Sequence, residues 1–136
     1  MPKVLRKARI VHFTLCDYVD ADEYIRTGRR PLKENNGNLR GWGYEPGMGD
    51  EEAFALNRWD WPLVPERSPQ FVLFSWAATV QFSAEISEVV RIPASKRKLK
   101  KIEGSVLSPN HSIYSQYVNK PTPEWARGYN PRYLYE

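Results

Sequence analysis

Arg58-Trp59-Asp60-Trp61 is the stretch of this 136-residue chain whose residue types are best placed to do chemistry. In extended chain, residues i and i+2 project to the same side, so Trp59 and Trp61 can form two walls that sandwich a flat base or enclose a cation. Arg58 and Asp60 then supply polar groups for reading a base edge. A base stacked on an aromatic ring contributes about 1–3 kcal/mol. The competing reading packs one or both indoles over a sheet and leaves Arg58 and Asp60 as a surface ion pair.

Downstream, the segment 95–101 carries Lys96, Arg97, Lys98, Lys100 and Lys101. Such a density of cations attracts phosphates and makes binding salt-sensitive, because each neutralised phosphate releases condensed counterions. Its ordinary alternative is a solvated hairpin tip. Arg29, Arg30 and Arg40 extend the same basic surface only if the fold gathers them.

Signals for catalysis are weaker, and no residue is assigned a catalytic role. His12 and His111 are the only histidines, and neither lies in a metal-ligand pattern. No metal and no other cofactor is expected. His12 in a strand reads first as a hydrogen-bonded structural residue. Its catalytic alternative is a small nucleotide-acting enzyme or toxin-like effector, pairing His12 with Thr14 and one of Asn35, Asn36 or Tyr44. Cys16, the single cysteine, excludes an intrachain disulfide and reads as a buried, inert thiol. The glycines around Trp42 and Met48 match no phosphate-binding fingerprint.

These residues need elements to position them. Alternating β-branched and aromatic types predict a first, central strand over Ala8–Leu15. Asp20 as N-cap, acids in the first turn and Gly28 as stop predict a short helix. Residues 29–50, rich in Gly and Asn, read as a long irregular loop, a placement common to binding loops and lids. Glu51–Asn57 continues as helical turns capped by Asp50. Phe71–Ala77 and the period-two alternation through 79–92 predict strands long enough to require a bend or a barrel-like curl. Ser108-Pro109-Asn110 opens a helix to about Val118, Trp125 sits in another turn, and Arg132–Tyr135 closes the sheet.

The expected fold is therefore α+β: one domain spanning residues 1–136, with a curled mixed β-sheet or partly open barrel and two or three short helices. Its 41% apolar and 26% charged content is that of a folding globular chain. The longest apolar stretch is far below the roughly 20 residues a bilayer requires, so no membrane partner is expected. The absence of a signal pattern and the lone cysteine suggest the cytoplasm. A net charge of +4 favours anionic partners, and five Trp, eight Tyr and five Phe exceed what a modest core needs. Some rings are expected at a surface or lining a pocket.

Asn57-Arg58-Trp59-Asp60-Trp61, the strands through 71–92, Tyr117-Val118-Asn119-Lys120 and Asn130-Pro131-Arg132-Tyr133 together resemble small prokaryotic modules of the PUA-like group, including the EVE and ASCH types. The resemblance covers about residues 50–136. It implies a curled β-barrel that binds nucleic acid, in some members by holding a modified base in an aromatic pocket. On that basis the expected partner is RNA or DNA. Trp59 and Trp61 are the stacking rings, Arg58 and Asp60 the edge contacts, and Lys96, Arg97, Lys98, Lys100 and Lys101 the phosphate contacts. His12-Phe13-Thr14 also resembles the start of some ADP-ribosyltransferases. A protein-interaction accessory domain is the third reading.

Overall fold

The structure is a computed structural model that describes residues 6–26, 40–59, 61–92, 99–128 and 130–135. Strand β1 (Ala8–Thr14) is an interior strand, next to the edge, of a five-stranded mixed sheet. It is parallel to β4 (Phe71–Trp76) and antiparallel to β7 (Arg132–Tyr135). Beyond β4 lie β5 (Thr79–Arg91) and β6 (Lys100–Val106), each antiparallel to its neighbour, giving the order β6-β5-β4-β1-β7. A separate two-stranded ribbon pairs β2 (Val19–Asp20) with β3 (Gly41–Trp42).

Both faces of β1 are covered, which is why Ile10, Val11 and Phe13 are all buried. Alternation sends Val11, Phe13 and Leu15 to one face, where α2 (Asp50–Asn57) contributes Ala53, Phe54 and Leu56 to the main core. Ile10 faces the other way, with Leu73 and Val80, and is covered by Ile113 of α3 (Ser112–Tyr117) and by Val118.

A straight strand of 13 residues like β5 would span about 43 Å. It bends instead. Its pairing slips against β4 between Phe74 and Ser75, and against β6 between Ile86 and Glu88. Gly104 stands opposite Ile86, and a Cβ there would lie 2.0 Å from the Glu85 carbonyl oxygen, so the bend requires glycine. Past it, β6 folds back over the main core and buries Ile102 beside Val11 and Phe13. The sheet is curled and unclosed, and the expected α+β class with a curled mixed sheet is borne out.

Local expectations fared unevenly. Asp20 accepts the Glu23 N–H at 3.0 Å and caps α1 (Ala21–Arg26), as its position predicts. Asp50 is not a cap: Gly49 occupies that place, and Asp50 is the first residue of α2. α3 begins later than Ser108, with His111 capping it by accepting the Ile113 N–H on Nδ1. Residues 29–39 of the expected 29–50 loop lie outside the described residues, and the remainder is more ordered than composition suggests. Gly41 meets the Val19 carbonyl too closely for any Cβ, and Gly43 has φ +87°. Buried Asn57 clasps Gly43, accepting its N–H and donating to its carbonyl, each at 2.9 Å. Glycine that signals a loop in sequence here permits a close strand pairing, and it carries Trp42, Tyr44 and Met48 into the interior. Cys16 also departs from expectation. It is exposed, because the chain turns out of the sheet after Leu15.

Candidate cation–aromatic site

The site begins where α2 ends. Arg58 is the helix C-cap, and its N–H still bonds the Phe54 carbonyl. From there the chain lies along the outer edge of β6. Ile102 donates its N–H to Arg58 O, while Trp61 and Lys100 exchange both backbone bonds, all at 2.9 Å. Arg58 and Trp61 therefore pair with β6 as parts of an extra strand would. Arg58 and Trp59 are held against Lys101 and Glu103, both on the outward side of β6 from Ile102.

Trp59 is half-buried, with the Arg58 guanidinium carbon 4.7 Å and the Lys101 ammonium 4.9 Å from its ring centroid. The negative π-face of an indole attracts such cations. Glu103 ties the group together, accepting from Arg58 Nη1 at 3.2 Å and Lys101 Nζ at 3.0 Å. The Lys101 hydrogen bond, assisted by Arg58, holds the Glu103 carboxyl below its ordinary range. Two cations against one carboxylate leave the cluster net positive.

Trp61 makes different contacts. Its indole stacks on Phe13 with centroids 4.1 Å apart at 25°, and its Nε1–H donates to the Asn57 carbonyl at 2.5 Å. The ring packs against the main core, and one side is taken by Phe13. Strand alternation also separates the neighbouring lysines: Lys101 joins Trp59, whereas Lys100 meets Trp61 through the backbone. Asp60, Lys96, Arg97 and Lys98 lie outside the described residues, as do Arg29, Arg30, Asn35 and Asn36. Arg40 forms an ion pair with Glu52 and packs over the Tyr18 ring, away from this cluster. Glu103 escaped the sequence reading, although its place two residues after Lys101 in a strand would have put both on one side.

His12 is fully buried. Its Nε2 shares a 2.7 Å hydrogen bond with Ser75 Oγ, which accepts from Thr122 Oγ1 at 2.8 Å, and the Trp125 ring stands edge-on at 6.3 Å. Burial lowers the imidazole from 6.5 to about 4, so the ring is neutral near pH 7. Thr14 is turned to solvent, with its backbone bonded to Asn130. A groove of about 350 Å³ lies between Pro65, Ser68, Gln70 and the β5 residues Ser87 and Glu88, and its lining includes none of the expected site residues. Among the described residues no helix is long and apolar enough to cross a membrane. Comparison with protein-family models, curated proteins and solved structures returns no match.

Proposed function

We propose that this chain is a nucleic-acid-binding module that stacks an unpaired base on Trp59 and places the adjoining phosphates against Arg58 and Lys101. The observation that carries the reading is the half-buried indole with two cations within 5 Å of its centroid. Stacking and charge are then available at one point, the combination that single-strand binders use. Lys100 and the basic residues 96–98 add sequence-independent attraction. Trp61 keeps its place on Phe13 and holds the segment against the core. The module acts in the cytoplasm, where RNA and DNA are both accessible.

The test is fluorescence anisotropy of a labelled fifteen-nucleotide single strand. Trp59→Ala should weaken binding by about 5- to 150-fold, the equivalent of one lost stacking contact, while the thermal melt stays near that of the parent. Unchanged affinity in the variant, or parent binding no tighter than that of a charge-matched control protein, refutes the proposal.

A further inference from the structure

A second cation–aromatic group stands at the far end of the segment that carries Trp59. Tyr133 and Tyr135 lie on one side of edge strand β7 with centroids 6.0 Å apart at 30°. The Arg67 guanidinium carbon is 5.5 Å from one ring and 5.2 Å from the other, and Arg6 lies 4.8 Å over Tyr135. Arg67 Nη1 donates to the Arg6 backbone carbonyl at 3.3 Å, which holds the Arg67 guanidinium beside Arg6. Lys7 joins them, its Nζ donating to the Glu66 carbonyl at 2.9 Å. Among the described residues neither Arg67 nor Lys7 forms an ion pair with a carboxylate. The cluster at Trp59, by contrast, holds Glu103 between its cations.

We infer that Arg6, Lys7 and Arg67, with Tyr133 and Tyr135, form a second contact surface for the phosphodiester backbone of the same single-stranded nucleic acid. The inference rests on the reading of Trp59 given above and extends the contact surface beyond it. Trp59 and Arg67 are eight residues apart in sequence, so they can be separated by at most about 29 Å. At 3.4 Å per stacked nucleotide that distance is about eight nucleotides. A strand of that length or longer therefore spans any separation that the connecting chain allows between the two surfaces. The tyrosines fix the guanidiniums in place before binding, which lowers the ordering cost of the contact.

Affinities of four-nucleotide and fifteen-nucleotide oligothymidylates across a series of KCl concentrations test the inference. The double variant Arg6→Gln, Arg67→Gln should bind the fifteen-nucleotide strand at least tenfold more weakly, with its log–log salt slope flattened by about 1.4, two phosphate contacts at roughly 0.7 each. Binding of the four-nucleotide strand, which has fewer phosphates to share between the two surfaces, should fall by less. Arg6→Lys, Arg67→Lys keeps the charges and should restore most of the slope, which a purely structural role for the guanidiniums would not. Equal weakening of both lengths, or an unchanged slope for the long strand, overturns the second surface. If Trp59→Ala still weakens both lengths in that case, the reading of Trp59 survives alone. A parent protein that binds neither length removes both.

Discussion

Lowering the pH should destabilise this protein through His12 before general acid denaturation sets in. The imidazole is enclosed on the α3 side of the sheet, bonded through Nε2 to Ser75, and burial lowers it from 6.5 to about 4. In the unfolded chain it titrates near its ordinary value, so between pH 6.5 and 4 the unfolded state binds the extra proton and the folded state does not. Stability is therefore complete above about pH 6.5, falls as the pH drops, and levels off below about 4. Each pH unit in that window corresponds to about 1.4 kcal/mol, so the drop to pH 5 should remove about 2 kcal/mol. The perturbation is His12→Gln, which can still donate a hydrogen bond toward Ser75 but does not titrate. Urea unfolding at pH 7.5 and 5.0 should show the parent losing about 2 kcal/mol more than the variant, because the carboxylates are common to both and cancel. Parallel losses would refute the argument. So would an imidazole NMR titration of the folded parent with its midpoint near 6.5.

Three further outcomes follow from the geometry. The β4–β5 hairpin turns through Ala77 and Ala78 at φ +52° and +65°, a left-handed conformation that costs an L-residue roughly 1–2 kcal/mol. Asn-Gly suits such a turn, so Ala77→Asn with Ala78→Gly should raise Tm by several degrees, and an unchanged or lower Tm would contradict it. Trp61→Ala should cost about 3 kcal/mol, since it removes a ring stacked on Phe13; Trp59→Ala should cost under about 1 kcal/mol, and equal losses in denaturant unfolding would make both rings core. Glu103→Gln releases Arg58 and Lys101 from their shared carboxylate and should tighten oligonucleotide binding by about twofold to fivefold, with weaker binding as the contrary result.

Strand and helix placement was legible wherever side-chain period and burial agree. The alternation in 79–92 could only be a strand, and its excess length announced a bend, though not that Gly104 on the neighbouring strand makes the bend possible. The glycines at 41 and 43 misled for a related reason. Composition reports what a glycine permits, and only the partner chain shows whether that freedom serves a turn or a close approach. At the site, Arg58, Trp59 and Lys101 were visible as types but not as a group, because their proximity depends on Arg58 and Trp61 pairing with β6. Simple i, i+2 reasoning gives the two indoles one facing direction, while Pro62 restricts Trp61 to extended conformations and singles it out as the structural ring. The helix end at Arg58 and the backbone exchange at Lys100 give them two environments. Cys16 was misplaced because burial at a strand's end depends on where the chain goes next.

The pairing of Arg58 and Trp61 with β6 also bears on how this protein avoids its own copies. β6 ends one side of the sheet, and its backbone groups at Lys100 and Ile102 would otherwise stand open as a template for another strand. Arg58 and Trp61 occupy them. Any ligand that peeled these residues away to reach Trp59 more fully would uncover that template and invite strand-to-strand aggregation. A ligand that leaves Arg58 and Trp61 seated keeps the guard in place, so productive binding and colloidal stability favour the same pairing with β6.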